Sequence, residues 1–134
     1  MTKTQPKKLK TTAIQILFNK AIVERDKKCV ICGKRENLQC SHFYSVGAHN
    51  GLRFHPWNAH TMCAGCHLKH HNSDPYMYVK WFEDTLPECL KWLTSIKNNT
   101  IRYSQPNLKA IKAFIKMDID RLAGVINEII GVGY

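Results

Sequence analysis

The chain has 134 residues, enough for one compact domain with a modest core and too few for two independent ones. Its 20 Lys and Arg stand against 10 Asp and Glu, a formal charge of +10 with histidines neutral, which points to a polyanionic partner and to nucleic acid first. A merely solvated basic surface is the competing reading of the charge. No apolar run approaches the ~20 residues of a membrane helix, and "MTKTQPKKLK" lacks the apolar stretch and cleavage site of a signal peptide, so no membrane partner and a cytoplasmic chain are expected.

Residues 1–10 form a basic arm, expected to be flexible. From Leu9 to Lys28, Ile14, Leu17, Phe18, Ala21 and Ile22 recur at helical spacing and predict an amphipathic helix. "CVICGKRENLQC" reads as a knuckle, a turn and a short strand. "FYSVGAHNG" is a loop, "LRF" the start of a second strand and "HPWN" a turn, with helix resuming near Cys63. Ser73 or Asp74, followed by Pro75, caps the next helix, whose Tyr76, Tyr78, Trp81 and Phe82 are expected to pack. "IKNNTIRYSQPN" is a polar linker or hairpin. Leu108, Ile111, Ile115, Ile119, Leu122, Ile126 and Ile129 then step by three and four along a last helix. The expected organisation is the arm, a core over residues 11–100, and a C-terminal amphipathic helix over 101–134 that packs on the core or makes a homodimer.

In a reducing compartment six cysteines are better suited to metal than to disulfides. Cys29-x-x-Cys32-Gly33 and Cys63-x-x-Cys66 are two knuckles, and the two-residue gap lets both thiolates of each reach one ion. Four thiolates close a tetrahedron, so this zinc site is expected to be structural. Cys40 is expected to be a strand residue facing the core, against a metal role, and Cys89 a small buried apolar residue.

That leaves the histidines of "CAGCHLKHH". His67 and His71 lie four apart, share a helix face and can hold one ion. His70 and Lys69 point to solvent or phosphate. A solvated basic face is the bland alternative for all of them.

The order across this region is specific: a knuckle, His42 at the end of a short strand, a loop, Asn58, a second knuckle, then His67 on a helix. It resembles the zinc-containing HNH, or ββα-metal, nucleases over roughly residues 25–72. Within that superfamily, "CSHFYSVGAHNGLRFHPWNAHTMCAGCH" is similar to the phage NinG (Rap) recombination nucleases. The resemblance implies an α+β fold, a small zinc-braced ββα-metal core flanked by an N-terminal helix and C-terminal helices. It also implies a phage-encoded, metal-dependent DNA endonuclease acting in the bacterial host on branched or recombination-intermediate DNA, with recombination proteins as candidate partners.

Carried over residue by residue, the family pattern makes His42 the general base and Asn58 a brace for the loop. His67, with His71, would hold the second divalent metal: Mg²⁺, Mn²⁺, Ni²⁺ or Zn²⁺. Arg53 and His49 are candidate phosphate clamps, joined on the helix by Lys69 and His70. Many HNH enzymes carry a metal-binding aspartate just before the base, where this chain has Ser41. His71 can replace that ligand; alternatively His42 is itself a ligand, and His49 or His60 acts as base. Two other functions compete. One is a zinc-braced DNA-binding module without catalysis; the other is a sequence-specific restriction or homing nuclease, for which 134 residues leave little room.

Overall fold

Ile14, Phe18 and Ile22 repeat every four residues, so a helix sets all three on one face, and all three are buried in α1 (Thr11–Asp26). The helix stops where Lys27 turns left-handed at φ 62° and its N–H reaches back to the Val23 carbonyl at 2.8 Å. The computed structural model from which these features come describes residues 7–131. Residues 1–6 of the expected basic arm and 132–134 of the last helix lie outside that range.

Beyond α1 come β1 (Leu38–His42), β2 (Ala59–Cys63), α2 (Ala64–Asn72), α3 (Tyr76–Thr85), α4 (Pro87–Ile96), α5 (Gln105–Met117) and α6 (Leu122–Ile130). The fold is mixed: helices around one small antiparallel sheet of β1 and β2. The register pairs Leu38 with Cys63, Cys40 with Thr61 and His42 with Ala59. It carries the second cysteine pair back beside the turn that holds the first.

The second strand is not at "LRF". Leu52 and Phe54 are both fully buried, in different core clusters, and Asn50–Leu52 is a short 3-10 turn. The Asn50 side chain holds Ile101 by both its N–H and its carbonyl, at 3.3 and 2.8 Å, and Pro56 has no N–H to give a ladder. Gly51 is required here, because a Cβ would collide with the Asn99 carbonyl oxygen. Pairing therefore starts at Ala59.

The helix expected through Ile129 is broken as well. Asp118 is extended (φ −164°, ψ 100°), and its carboxylate accepts the Asp120 amide at 3.1 Å, capping the turn that restarts the chain. The break lets the stripes of α5 (Leu108, Ile111, Ile115) and α6 (Leu122, Ile126) both fold onto α1, Phe54 and Ala59. A second cluster of Leu52, Met62, Tyr78, Phe82, Leu93 and Ile96 adjoins Cys29 and Cys63. Among the described residues, no helix is long and apolar enough to cross a membrane.

Arg25 and Asp26 bolt α1 to β2. The Arg25 guanidinium donates to the Pro56 and Ala59 carbonyls at 2.8 Å each, and Asp26 accepts the Thr61 amide at 2.9 Å. The two side chains also pair with each other at 2.8 Å.

Two buried histidines make the fold acid-sensitive. His55 Nδ1 accepts the Trp57 amide at 3.2 Å, and Nε2 donates to Asn127 Oδ1 at 3.0 Å, so both nitrogens are satisfied only in the neutral ring. Burial pulls its pKa down to about 4. His60, walled by Tyr78, Trp81 and Phe82, is pulled down to about 3, by burial first and then by the charge on Arg25. Unfolded histidines titrate near 6.5, so protons favour the unfolded chain below that value. Stability should hold above pH 6.5 and fall from there toward those values, by up to about 1.4 kcal/mol per pH unit for each ring. Imidazole nitrogen NMR checks this directly: both rings should stay neutral down to pH 5, in step with a falling denaturant midpoint.

Candidate functional site

Cys29 and Cys32 sit in the turn after α1, Cys63 ends β2, and Cys66 lies in the first turn of α2. Their four sulfurs all lie within 4.8 Å of one another. Gly33 makes the exit from the first knuckle at φ 81°, the left-handed region that favours glycine. Each pair folds an amide over its own thiol: Cys32 N–H to Cys29 Sγ at 3.5 Å, and Cys66 N–H to Cys63 Sγ at 3.4 Å. Burial raises the Cys29 pKa, but the amides of Cys32, Cys63 and Ile31 outweigh it and bring it down to about 7. The Cys66 amide lowers Cys63, while burial and the neighbouring thiols raise Cys66. Four converging sulfurs with amide support can hold a metal such as zinc, and they leave no coordination position for substrate.

The other two cysteines stand apart. Cys40 packs against the α1 core, where burial pushes its thiol up to about 12, and Cys89 is half-buried in the second cluster.

On α2, one turn beyond Cys63, the His67 and His71 Nε2 atoms face each other at 2.9 Å. His67 Nδ1 lies 2.6 Å from Gln39 Oε1, an acceptor, so Nδ1 carries the hydrogen and Nε2 presents its lone pair. Burial, followed by the neighbouring His71 and His70, lowers the His67 pKa and favours the neutral, ligand-competent ring. This is the arrangement by which a metal-binding histidine is oriented from behind. No sequence pattern singles out Gln39; its role follows from standing on β1 opposite α2.

His42 ends β1, stacked on Phe18 of α1 with ring centres 5.8 Å apart. Its Nε2 is 3.2 Å from the Arg53 carbonyl. Gln15 of α1 gives its own amide hydrogens to Arg53 O and Asn19 Oδ1, so His42 is the donor to Arg53 O and Nδ1 is left as its basic atom. Burial lowers the His42 pKa, and the charges of Arg53 and His67 add to that. Arg53 lies alongside: its Nε donates to Gln15 Oε1 at 2.9 Å, and its guanidinium stands 5.3 Å over the Phe54 ring. Gln15 thus ties the two together, and nothing but its place on α1 could have marked it.

Asn58 is fully buried and holds the loop between the strands. Its Oδ1 accepts the Tyr44 amide at 2.9 Å, and its Nδ2 donates to the Tyr44 and Leu52 carbonyls at 3.0 and 3.3 Å. His49 sits apart, 2.9 Å from the Lys97 carbonyl and packed on Tyr44. Lys69 is exposed on α2, whereas His70 is half-buried with its ring 5.1 Å from Tyr78 and turned toward α3. His60, the alternative base, is 4% exposed and bonded to the Tyr78 hydroxyl at 2.7 Å. That hydroxyl in turn donates to the Ser41 carbonyl at 3.2 Å. The Ser41 hydroxyl itself is buried with no hydrogen-bond partner in the protein.

Two outcomes are expected. Purified protein should carry about one zinc per chain, by metal analysis, and Cys66→Ser should lose both the metal and the cooperative thermal transition. Asn58→Ala should cost about 2–4 kcal/mol in denaturant unfolding, because it strands the half-buried Tyr44 and buried Leu52 backbone groups.

The family model of the bacteriophage lambda NinG protein matches residues 1–124. No curated protein and no solved structure gives a match.

Proposed function

The chain belongs to the bacteriophage lambda NinG family, and from that premise we propose that it is a metal-dependent DNA endonuclease of the HNH type, serving phage recombination and selective for branched DNA. The observation that carries this proposal is the facing pair His67 and His71, with His67 oriented through Gln39 and directly following Cys66 of the thiol cluster. A solvated basic face has no need of a histidine whose tautomer is held so that its outer nitrogen turns a lone pair toward a second imidazole.

Phosphodiester hydrolysis requires a base for the attacking water, charge stabilisation at the phosphate and help for the departing 3′-oxygen. A divalent ion held by His67 and His71 would supply Lewis-acid stabilisation of the phosphate and the leaving oxygen. His42 accepts the proton of the attacking water at Nδ1, with its Nε2 hydrogen committed to the Arg53 carbonyl. Its lowered pKa keeps the ring neutral near pH 7, the form that can accept a proton. As the water oxygen bonds to phosphorus, the bond to the 3′-oxygen breaks, and that oxygen takes up a proton. Arg53 contributes positive charge beside the base, and Asn58 keeps the loop between the strands in register with it.

A DNA-binding module without catalysis is favoured by one observation: Ser41 stands where many HNH enzymes have a metal-binding aspartate, and its hydroxyl is buried and unpaired. The test compares nicking of branched and linear DNA with Mg²⁺, Mn²⁺, Ni²⁺ or no added metal, for wild type and His42→Ala. Both proteins are first matched for zinc content and thermal unfolding. Metal-dependent nicking that drops by about 10²-fold or more in the variant is expected, with branched DNA cut faster. Wild type that binds DNA yet cuts neither substrate with any metal would leave the binding module standing instead.

A further inference from the structure

Residues 7–23 and 105–117 carry Lys7, Lys8, Lys10, Lys20, Lys109, Lys112 and Lys116 and no Asp or Glu, while Glu24 and Asp26 stand at the far end of α1. The fold brings the helices of these two segments together, since α1 and α5 pack through Ile14, Phe18 and Ile22 against Leu108, Ile111 and Ile115. Lys109, Lys112 and Lys116 step by three and four along α5 beside that seam, the first and last exposed and Lys112 half-buried. Four of the acidic residues, Asp74, Glu83, Asp84 and Glu88, lie instead between residues 74 and 88, on α3, α4 and the turn before them.

The cationic face also has a fixed edge. Leu9 is clamped to Gln105 at the start of α5, its N–H donating to Gln105 Oε1 at 2.8 Å and its carbonyl accepting from Gln105 Nε2 at 2.9 Å. This clamp sets Lys7 beside Lys109 and Lys112 along an open groove of about 700 Å³, with Leu9 and Pro106 also in its lining. Lys8 and Lys10 are exposed on either side of the clamped residue. Positive charges held in place lose less conformational freedom on binding than charges on a free tail.

We propose that the α1–α5 face is a docking surface for the phosphate backbone of duplex DNA, holding an arm of the substrate that flanks the histidine site. This rests on the endonuclease reading for the identity of the polyanion. Among the described residues, the groove lining includes no aromatic side chain on which an unpaired base could stack, so the surface suits a duplex backbone better than a single strand. Gln15 lies farther along α1 from the clamp and accepts from Arg53 of the loop between the strands. The Arg53 carbonyl contacts His42, which connects this face to the histidine site.

The test is equilibrium binding of a labelled 30-base-pair duplex across a salt series, without added divalent metal, so that binding is read independently of cutting. The variants are Lys109→Gln/Lys112→Gln/Lys116→Gln, a charge-matched control Lys28→Gln/Lys34→Gln/Lys80→Gln, and Gln105→Ala, all checked for zinc and thermal unfolding. The α5 triple variant should bind more weakly, and its slope of log K against log salt should flatten by about 0.9 for each lysine that engages a phosphate. The control should change far less. Gln105→Ala, which removes no charge, should weaken binding several-fold by releasing the arm. Equal losses in the two triple variants would overturn the proposal, showing only an effect of net charge, as would an α5 variant that keeps wild-type affinity and slope. Wild-type affinity in Gln105→Ala would overturn the role of the clamp. Failure of the endonuclease reading would look different: wild type cuts nothing, while the α5 lysines still set the salt slope.

Discussion

Four sulfurs drawn from two distant stretches of chain must meet within a few ångströms, and much of the fold is arranged around that meeting. Cys29 and Cys32 follow α1 directly, while Cys63 and Cys66 join β2 to α2. Bringing them together closes a loop of more than thirty residues, which costs conformational entropy that a chain of this size cannot easily recover from apolar burial alone. The sheet is the geometric consequence, because its register returns Cys63 to the start of β1. α2 is the chemical one. It is only nine residues long, too short to be stable by itself, and it starts where the Cys63 thiol caps it.

Polar side chains, together with the buried Leu52 and Phe54, hold the loop between the strands. Asn58 bonds Tyr44 and Leu52, Asn50 bonds Ile101, and Arg25 with Asp26 fixes the approach to β2. Most of these partners are backbone groups that would be orphaned in the interior without them, and this is the situation in which a hydrogen bond matters most. The arrangement lets an irregular segment of some fifteen residues present Arg53 and its carbonyl to His42 in one fixed geometry. An ordinary hairpin turn could not carry Arg53 to that position.

The histidines divide by environment. His55 and His60 are sealed in the interior and held neutral by burial, so they belong to the fold. His42, His67 and His71 remain partly or fully open to solvent, and His42 and His67 are each oriented through one nitrogen by a neighbouring oxygen, with the second nitrogen of His67 facing His71. Sequence position does not separate these classes, since His55 and His60 lie between His42 and His67. Exposure and the direction of one hydrogen bond do.

The sequence by itself determined what depends on local spacing. The two Cys-x-x-Cys knuckles, the face of α1, the linker before α5 and the His67–His71 pair all follow from side chains a few residues apart, where helix or turn geometry alone sets who meets whom. Only the tertiary structure decided contacts between distant segments. Gln39 orienting His67, Gln15 joining His42 to Arg53, and Leu9 clamped by Gln105 across 96 residues have no signature in the chain. The position of β2 belongs to the same class, while the break at Asp118 rests on a local cap that the apolar period of the stretch masks. Residues 52–54 and 108–129 have patterns that suit a strand and a single long helix, but both were overruled. Asn50, Pro56 and Asp118 offered the backbone hydrogen bonds or constraints incompatible with those elements, and two core clusters had to be filled from one short chain.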